Sequence, residues 1–203
     1  MNDRLLVIRH GETVWNAEHR FTTRSDVPLS ETGIRQAEAA AANLAATAID
    51  RIYSSPLQRA LRTAETIAAS QAAACRIEVD PRLTEIDAGP FDGKTTEELE
   101  AGPLAEAFAG WHTDGDPVFP EGTETFDHAL ERITAFFADH HDESGTTLIA
   151  THGSLARLIV SSHLLAAPPP QHRRLWLDNC HLAVVEQRDG IPKLVGFNVL
   201  TVS

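Results

Sequence analysis

Short apolar runs alternate with amphipathic stretches along this chain, and this alternation restricts its fold more than any other feature. Residues 4–8 form an apolar run rich in branched side chains, which is typical of a strand buried on both faces. Strands that alternate with helices indicate a mostly parallel sheet covered by helices. We therefore predict a three-layer α/β/α fold in which residues 1–203 form a single domain.

Local signals place the individual elements. Ser30 is a good N-cap before an apolar helical stripe, and Ser55-Pro56 combines a capping hydroxyl with proline at a first helical position. A further helix follows His152-Gly153 directly. Strands are predicted over residues 4–8, 51–54, 76–79, 146–151, 182–186 and 194–199.

The charge balance limits the partners of the chain. It carries 17 Lys and Arg against 29 Asp and Glu, a formal net charge of −12. Such a chain repels nucleic acid and anionic membranes at long range, so we expect neither as a partner. If the protein binds an anion, it must gather its few cations at one site.

Cysteine usage and the N-terminus indicate a reduced compartment. Cys75 and Cys180 are too few for a disulfide framework or a four-thiolate zinc site. Only a four-residue apolar run, residues 5–8, precedes Arg9, which is too short for a signal-peptide core or a membrane span. We therefore expect a cytoplasmic protein.

The histidines show no spacing typical of metal ligands. The run His140-His141-Asp142 resembles a metal cluster, but we interpret it as the end of a helix, where histidines suit the negative end of the dipole. Neither a metal nor a cofactor is predicted.

Chemically capable side chains follow the predicted strands. Arg9 and His10 come directly after the first strand, Arg59 follows the second, Glu85 the third and His152 the fourth. In open α/β sheets, ligands bind beyond the carboxyl ends of the strands. These five side chains are therefore expected to converge on one edge of the sheet.

This set of side chains suits a phosphoryl group. Guanidinium groups match phosphate oxygens, and a histidine can attack phosphorus to form a covalent intermediate. A second histidine can stabilise charge on the transferring group, and a protonated carboxyl can supply the leaving oxygen with a proton. Such a site needs no metal if the protein supplies the cations.

Six segments also form one ordered pattern: RHGETVWN (9–16), DVPLSETG (26–33), SSPLQRA (54–60), LTEID with FDG (83–87 and 91–93), PEGTET (120–125) and THG (151–153). In this order they resemble the histidine phosphatase superfamily, the phosphoglycerate-mutase-like enzymes. The resemblance runs almost from end to end of the chain. It implies a phosphoglycerate-mutase-like fold.

The resemblance also implies a role for each matched position. His10 would be the nucleophile that becomes phosphohistidine, and Glu85 would protonate the leaving alcohol. Asp87 and Glu12 are close enough in sequence to compete for that role. The phosphoryl group would be held by Arg9, Asn16, Arg59, His152 and Gly153.

One segment departs from the family pattern. Members often carry Gln-Gly where this chain has Thr22-Thr23, so the close approach of a glycine backbone is lost. The two hydroxyl groups are expected to replace it as phosphate donors. Selectivity should come from residues 21–24 and 87–122, with Arg24, Lys94 and Trp111 as candidate contacts.

The function that follows is a cofactor-independent phosphatase acting on a small phosphorylated metabolite. A phosphoglycerate mutase is the first alternative, but such enzymes usually carry extra segments that close over the substrate, and 203 residues leave little room for them. A non-enzymatic phosphate-binding or protein-interaction module on the same fold is the second. Loss of the nucleophile or the acid would support it, and neither is missing.

Overall fold

The computed structural model describes residues 3–111, 113, 117–140 and 144–202. Within them the chain forms one six-stranded sheet in the order β3-β2-β4-β1-β5-β6. β1 to β4 run parallel, while β5 pairs antiparallel with β1 and β6 antiparallel with β5. The strands are β1 Arg4–Arg9, β2 Arg51–Ser54, β3 Ile77–Val79, β4 Thr146–Thr151, β5 Leu182–Arg188 and β6 Ile191–Val199.

Helices cover both faces of this sheet. They are α1 Val14–Ala17, α2 Glu31–Leu44, α3 Gln58–Ala69, α4 Thr96–Glu100, α5 Ala105–Trp111, α6 Phe126–Asp139 and α7 Gly153–Leu158. The α/β/α prediction is therefore confirmed. None of the helices within the described ranges is long and apolar enough to cross a bilayer.

Alternating side chains of β1 supply two separate cores. Leu6 and Ile8 pack with the apolar faces of α2 and α3. Leu5 and Val7 pack on the other side, against residues of α6 and α7. Because successive strand residues point to opposite faces, a run without alternation is buried on both, as predicted for residues 4–8.

The register of the central strands positions the chemistry. Arg9 of β1 lies opposite Thr151 of β4, so both strands end at the same level. His10 and His152 are the next residues along the two strands, and the His10 backbone N–H donates to the Thr151 carbonyl at 2.9 Å. Two histidines separated by 141 intervening positions in sequence therefore lie side by side at one sheet edge.

The helix starts predicted at Ser30 and at Ser55-Pro56 have different outcomes. Ser30 caps α2 as expected, accepting a hydrogen bond from the Gly33 backbone N–H. The start predicted at Ser55-Pro56 is wrong, because α3 begins at Gln58. The Ser55 hydroxyl lies 2.8 Å from Nε2 of His152, and the Gln58 N–H donates instead to Oδ1 of Asp26, at 2.7 Å.

Two glycines allow the loop after β1 to touch the first turn of α2. A Cβ atom on Gly33 would lie 1.9 Å from the Glu12 carbonyl oxygen, and one on Gly11 would lie 2.5 Å from the Gly33 carbonyl oxygen. No side chain fits at either position without a backbone shift. This backbone contact holds the loop that carries His10.

Gly33→Ala is expected to lower the free energy of unfolding by about 1–3 kcal/mol, since the new methyl group overpacks a backbone contact. Gly110→Ala is the matched control, because its Cβ would meet nothing closer than 3.5 Å within α5. That change should be neutral or stabilise by up to about 1 kcal/mol. Urea unfolding measures both values, and equal free energies for the two variants would contradict the close-contact argument.

Candidate active site

A cavity of about 210 Å³ opens at the carboxyl ends of β1 and β4. We call it the catalytic cavity. All predicted site residues line it except Arg59 and His152, which are fully buried beside His10. The described lining consists of Arg9, His10, Asn16, Phe21, Thr22, Thr23, Glu85, Gly153, Ser154, Arg157, Trp176 and Leu177.

His10 presents a free nitrogen to this cavity. Its Nδ1 lies 2.7 Å from the Gly11 carbonyl oxygen. Because a carbonyl can only accept, Nδ1 carries the proton and Nε2 keeps its lone pair. Burial, followed by the charges of Arg59 and Arg9, holds the pKa of His10 well below its usual value. The side chain is therefore a neutral imidazole, which is the nucleophilic form.

Arg9 supplies a buried donor beside the nucleophile. Its Nη1 donates to the Leu177 carbonyl at 2.8 Å, whereas its Nε is buried with no hydrogen-bond partner among the described residues. A Cβ on Gly153 would lie 3.4 Å from that Nε. The glycine therefore lets the start of α7 pack close to this guanidinium, and Arg9 brings positive charge to the cavity that it lines, which favours an anion.

Glu85 is oriented by backbone amides. Its Oε1 accepts from the N–H groups of Ile86 and Leu155 at 2.9 Å each, and its Oε2 accepts from the N–H of Ser154 at 3.0 Å. Two of these donors belong to the first turn of α7, where backbone N–H groups lack partners within the helix. Oε2 keeps a further lone pair for the cavity that Glu85 lines.

Arg59 and His152 form a buried pair next to His10. The rings of His10 and His152 meet edge to face with centroids 5.1 Å apart. Arg59 Nε donates to Nδ1 of His152 at 3.2 Å, so the His152 proton resides on Nε2, 2.8 Å from Ser55 Oγ. Burial, followed by the charge of Arg59, holds the pKa of His152 well below its usual value.

The remaining hydrogen bonds of Arg59 hold the loop over the cavity. Its Nη2 donates to the Thr23 carbonyl at 2.7 Å and its Nη1 to the Ser25 carbonyl at 2.8 Å. Three of its five N–H hydrogens are thus used within the protein. Sequence reasoning predicted that this side chain contacts the phosphate; in the structure it is absent from the described lining of the cavity and anchors the segment in front of it.

Thr22 and Thr23 line the cavity, but their hydroxyl protons point elsewhere. The Thr22 hydroxyl donates to the Arg20 carbonyl at 3.1 Å, and the Thr23 hydroxyl donates to Asp92 Oδ1 at 3.0 Å. A hydroxyl has a single proton to give. The expectation that both hydroxyls donate to a phosphate is therefore not met in this structure, and Asp92 explains the loop geometry instead.

Asn16 has the orientation that its predicted role requires. Its Oδ1 accepts from the Thr13 backbone N–H at 3.1 Å and lies 3.5 Å from Nδ2 of Asn179. The amide oxygen is thereby occupied, which leaves Nδ2 as the donor for the cavity. Asn179 also donates to the His10 carbonyl at 2.9 Å, so it fixes two site residues together.

Sequence reasoning missed four residues of the described lining, namely Ser154, Arg157, Trp176 and Leu177. Arg157 donates to the Gly153 carbonyl, the Leu175 carbonyl and Ser154 Oγ at 2.9–3.1 Å. Its spacing of four from Gly153 places it on the same helix face, which is a signal that could have found it. Trp176 follows the 3₁₀ turn Pro169–Arg174 in an irregular segment, where no sequence periodicity indicates its position.

The other candidate residues lie apart from the catalytic cavity. Arg24 forms ion pairs with Asp87 at 3.5 Å and Glu124 at 3.4 Å, and Lys94 is absent from the described lining. Within the ranges that the structure describes, no group of three or more His, Cys, Asp or Glu could hold a metal ion. His140 lies 2.9 Å from the Tyr53 hydroxyl, while His141 and Asp142 fall outside the described residues.

A neutral buried histidine, flanked by arginines at the ends of parallel strands, defines a phosphoryl-transfer site in an α/β enzyme. The chain belongs to the histidine phosphatase superfamily (branch 1), whose family model matches residues 5–200. The resemblance expected from the six sequence segments is confirmed. The chain is accordingly a phosphoric monoester hydrolase.

The relatives of this chain include proteins named as a mutase and as a phosphatase. The chain is 36% identical to the Cronobacter sakazakii protein named "Probable phosphoglycerate mutase GpmB", over 89% of this chain and 83% of that protein. Bacillus stearothermophilus YhfR is similar in structure, with TM-score 0.84, 26% identity and coverage of 100% and 98%. Mycobacterial glucosyl-3-phosphoglycerate phosphatase gives TM-score 0.82, 26% identity and coverage of 97% and 99%.

Proposed function

We propose that this protein is a metal-independent phosphatase that hydrolyses a small phosphomonoester through a phosphohistidine at His10. The observation that carries the proposal is the pairing of a nucleophile with a cation. Neutral His10, with its proton on Nδ1, and the guanidinium-bearing Arg9 line the same small cavity. The first can attack phosphorus while the second stabilises the oxygens that gain charge.

In the first step, Nε2 of His10 forms a bond to phosphorus and the bond from phosphorus to the ester oxygen breaks. Glu85, entering as the carboxylic acid, gives its proton to the departing alkoxide. Arg9 and Asn16 hold the phosphoryl oxygens. We expect the Nε2–H of His152 to exchange Ser55 Oγ for one of these oxygens during transfer.

In the second step, water attacks the phosphohistidine. The Glu85 carboxylate takes a proton from this water as the new phosphorus–oxygen bond forms. The bond from phosphorus to Nε2 of His10 breaks, inorganic phosphate leaves, and the neutral imidazole and the protonated carboxyl are restored. No oxidant, reductant or second substrate is needed.

A phosphoglycerate mutase is the second candidate, because the relatives at 34–36% identity carry that name. A mutase returns the phosphoryl group to its substrate, whereas a phosphatase passes it to water. The products formed from 3-phosphoglycerate distinguish the mutase from the phosphatase. We expect inorganic phosphate and glycerate, while accumulation of 2-phosphoglycerate without phosphate release would favour the mutase. The non-enzymatic alternative is disfavoured because His10 and Glu85 share one cavity.

The phosphatase is expected to keep its full rate after dialysis against a chelator. The positive charge that stabilises the transferring group comes from Arg9, which lines the catalytic cavity, so no divalent cation is required. We would measure the rate of phosphate release from a panel of phosphorylated metabolites before and after dialysis. A rate that falls with the chelator and returns with magnesium or zinc would refute metal independence, and no release from any compound would refute the function.

A further inference from the structure

A second cavity of about 360 Å³ adjoins the catalytic cavity. Both are lined by Phe21, Thr23, Ser154, Arg157 and Trp176, so the two spaces share a wall. A phosphoryl group bound at His10 would therefore direct the rest of its substrate toward this second space. If the proposed function holds, the second cavity receives the leaving group.

Four aromatic side chains, Phe21, Trp111, Phe126 and Trp176, line this cavity, and we call it the aromatic cavity. The rest of its described lining consists of Thr23, Ile86, Ala88, Ser154, Arg157, His172 and Arg173. Flat apolar surfaces of this kind bind flat apolar groups through stacking and edge contacts. Trp111, a candidate selectivity residue from the sequence, lies here rather than beside the phosphoryl site.

The cations of the aromatic cavity are engaged by the protein. The Arg173 guanidinium lies 4.8 Å from the Trp111 ring and 5.0 Å from the Phe126 ring, and its Nη1 donates to the Thr113 carbonyl at 2.9 Å. Arg157 makes the three hydrogen bonds described above. These contacts hold both arginine side chains at the cavity surface. They therefore favour binding of an aromatic group in this cavity over binding of a second compact anion.

Trp176 stands at the junction of the two cavities. It lines both of them, yet 69% of its surface is exposed. Its Nε1 donates to Asp178 Oδ1 at 2.8 Å, which fixes one edge of the indole. An exposed tryptophan held in place beside a reactive cavity offers a ring face that a bound aromatic group can cover.

We propose that the substrate is a phosphate ester of an alcohol bearing an aromatic ring, with the ring in the aromatic cavity and covered by Trp176. This proposal rests on the proposed function. Trp176 acts as a specificity-determining residue, because it stands where the substrate passes from the catalytic cavity into the aromatic cavity.

Two phosphate esters with the same type of leaving group test the proposal. Benzyl phosphate and glycerol 3-phosphate both release primary alkoxides, but only the first carries a ring. We expect Trp176→Ala to raise the KM for benzyl phosphate by about 10-fold, in line with stacking energies measured by alanine substitution, with kcat preserved. The KM for glycerol 3-phosphate should rise several-fold less than the KM for benzyl phosphate, because that ester loses no stacking contact.

Val195→Ala is the matched control, since Val195 is an exposed apolar residue of β6 outside both cavities. It should leave both KM values unchanged. Equal effects of Trp176→Ala on the two esters, or none on either, would overturn the proposal. So would a preference for 3-phosphoglycerate over benzyl phosphate, which would assign the second cavity to a carboxylate.

Calorimetry with phosphonates keeps this proposal separate from the proposed function. Benzylphosphonate and methylphosphonate cannot be hydrolysed, so their binding needs no turnover. We expect tighter binding of benzylphosphonate, and Trp176→Ala should remove the difference. If this holds while no ester is hydrolysed, the phosphatase proposal fails and the aromatic site stands. If hydrolysis occurs and the two phosphonates bind equally, the phosphatase proposal stands and the aromatic site fails.

Discussion

His10→Ala is expected to abolish both turnover and covalent labelling of the protein. The Nε2 lone pair of His10 is the group that would bond to phosphorus, and alanine offers nothing in its place. A loss of at least about 10³-fold is typical when a covalent nucleophile is removed. Substrate labelled on phosphorus should leave acid-labile, base-stable label on the wild-type protein and none on the variant.

A second histidine variant controls for nonspecific effects. His163 stacks on Phe137 with ring centroids 4.4 Å apart, away from the described lining of both cavities. His163→Ala should label and turn over like the wild type. Full activity in His10→Ala would remove the nucleophile assignment, and label that persists in that variant would place the covalent intermediate on another residue.

Glu85→Gln is expected to slow hydrolysis of an alkyl phosphate far more than hydrolysis of a nitrophenyl phosphate. An alkoxide needs a proton as its bond to phosphorus breaks, whereas a nitrophenolate hardly does. General acid catalysis contributes about 10²–10⁴-fold, so the loss on the alkyl ester should fall in that range. The glutamine also disturbs the contact with the Ser154 N–H, but this disturbance affects the hydrolysis of both substrates. The ratio of the two losses therefore isolates proton donation.

The nitrophenyl substrate gives a second readout in the same variant. It should keep a burst of nitrophenol release even when the steady-state rate falls, because Glu85 would also activate water in the second step. Asp87→Asn and Glu12→Gln are the controls. Asp87 accepts from the Gly89 N–H at 2.8 Å, and Glu12 accepts from the Ser30 hydroxyl at 2.7 Å. A leaving-group dependence in either control, and none in Glu85→Gln, would reassign the acid.

The strand ends could be predicted from the sequence because the buried strand and the chemically capable side chains that follow it occupy neighbouring positions in the chain. A run such as residues 4–8 has to be a buried strand, and parallel strands end at one edge. His10 and His152 could thus be placed together although they are distant in sequence. The ordered segments around them then identified the family, and the structure places most of the predicted site residues in one cavity.

Long-range partners could not be predicted, since no local pattern encodes them. Ser55-Pro56 is a good helix start, but its hydroxyl pairs with His152 and Asp26 caps α3 from another loop. By residue type Thr23 could donate to a phosphate, but in the structure its hydroxyl donates a hydrogen bond to Asp92. In each case a side chain with several possible partners takes the one that the tertiary fold brings closest.

The two cavities draw on different parts of the chain. His10, Glu85 and the start of α7 belong to segments fixed by the sheet and by backbone hydrogen bonds. Trp111, Phe126 and Trp176 come from a helix end, a helix start and an irregular segment outside the sheet. Substitutions at positions 111 and 176 can therefore alter which alcohol is released, whereas Phe126 is 4% exposed and belongs to the core. A library randomised at positions 111 and 176 would make this scaffold a starting point for phosphatases tailored to new alcohols.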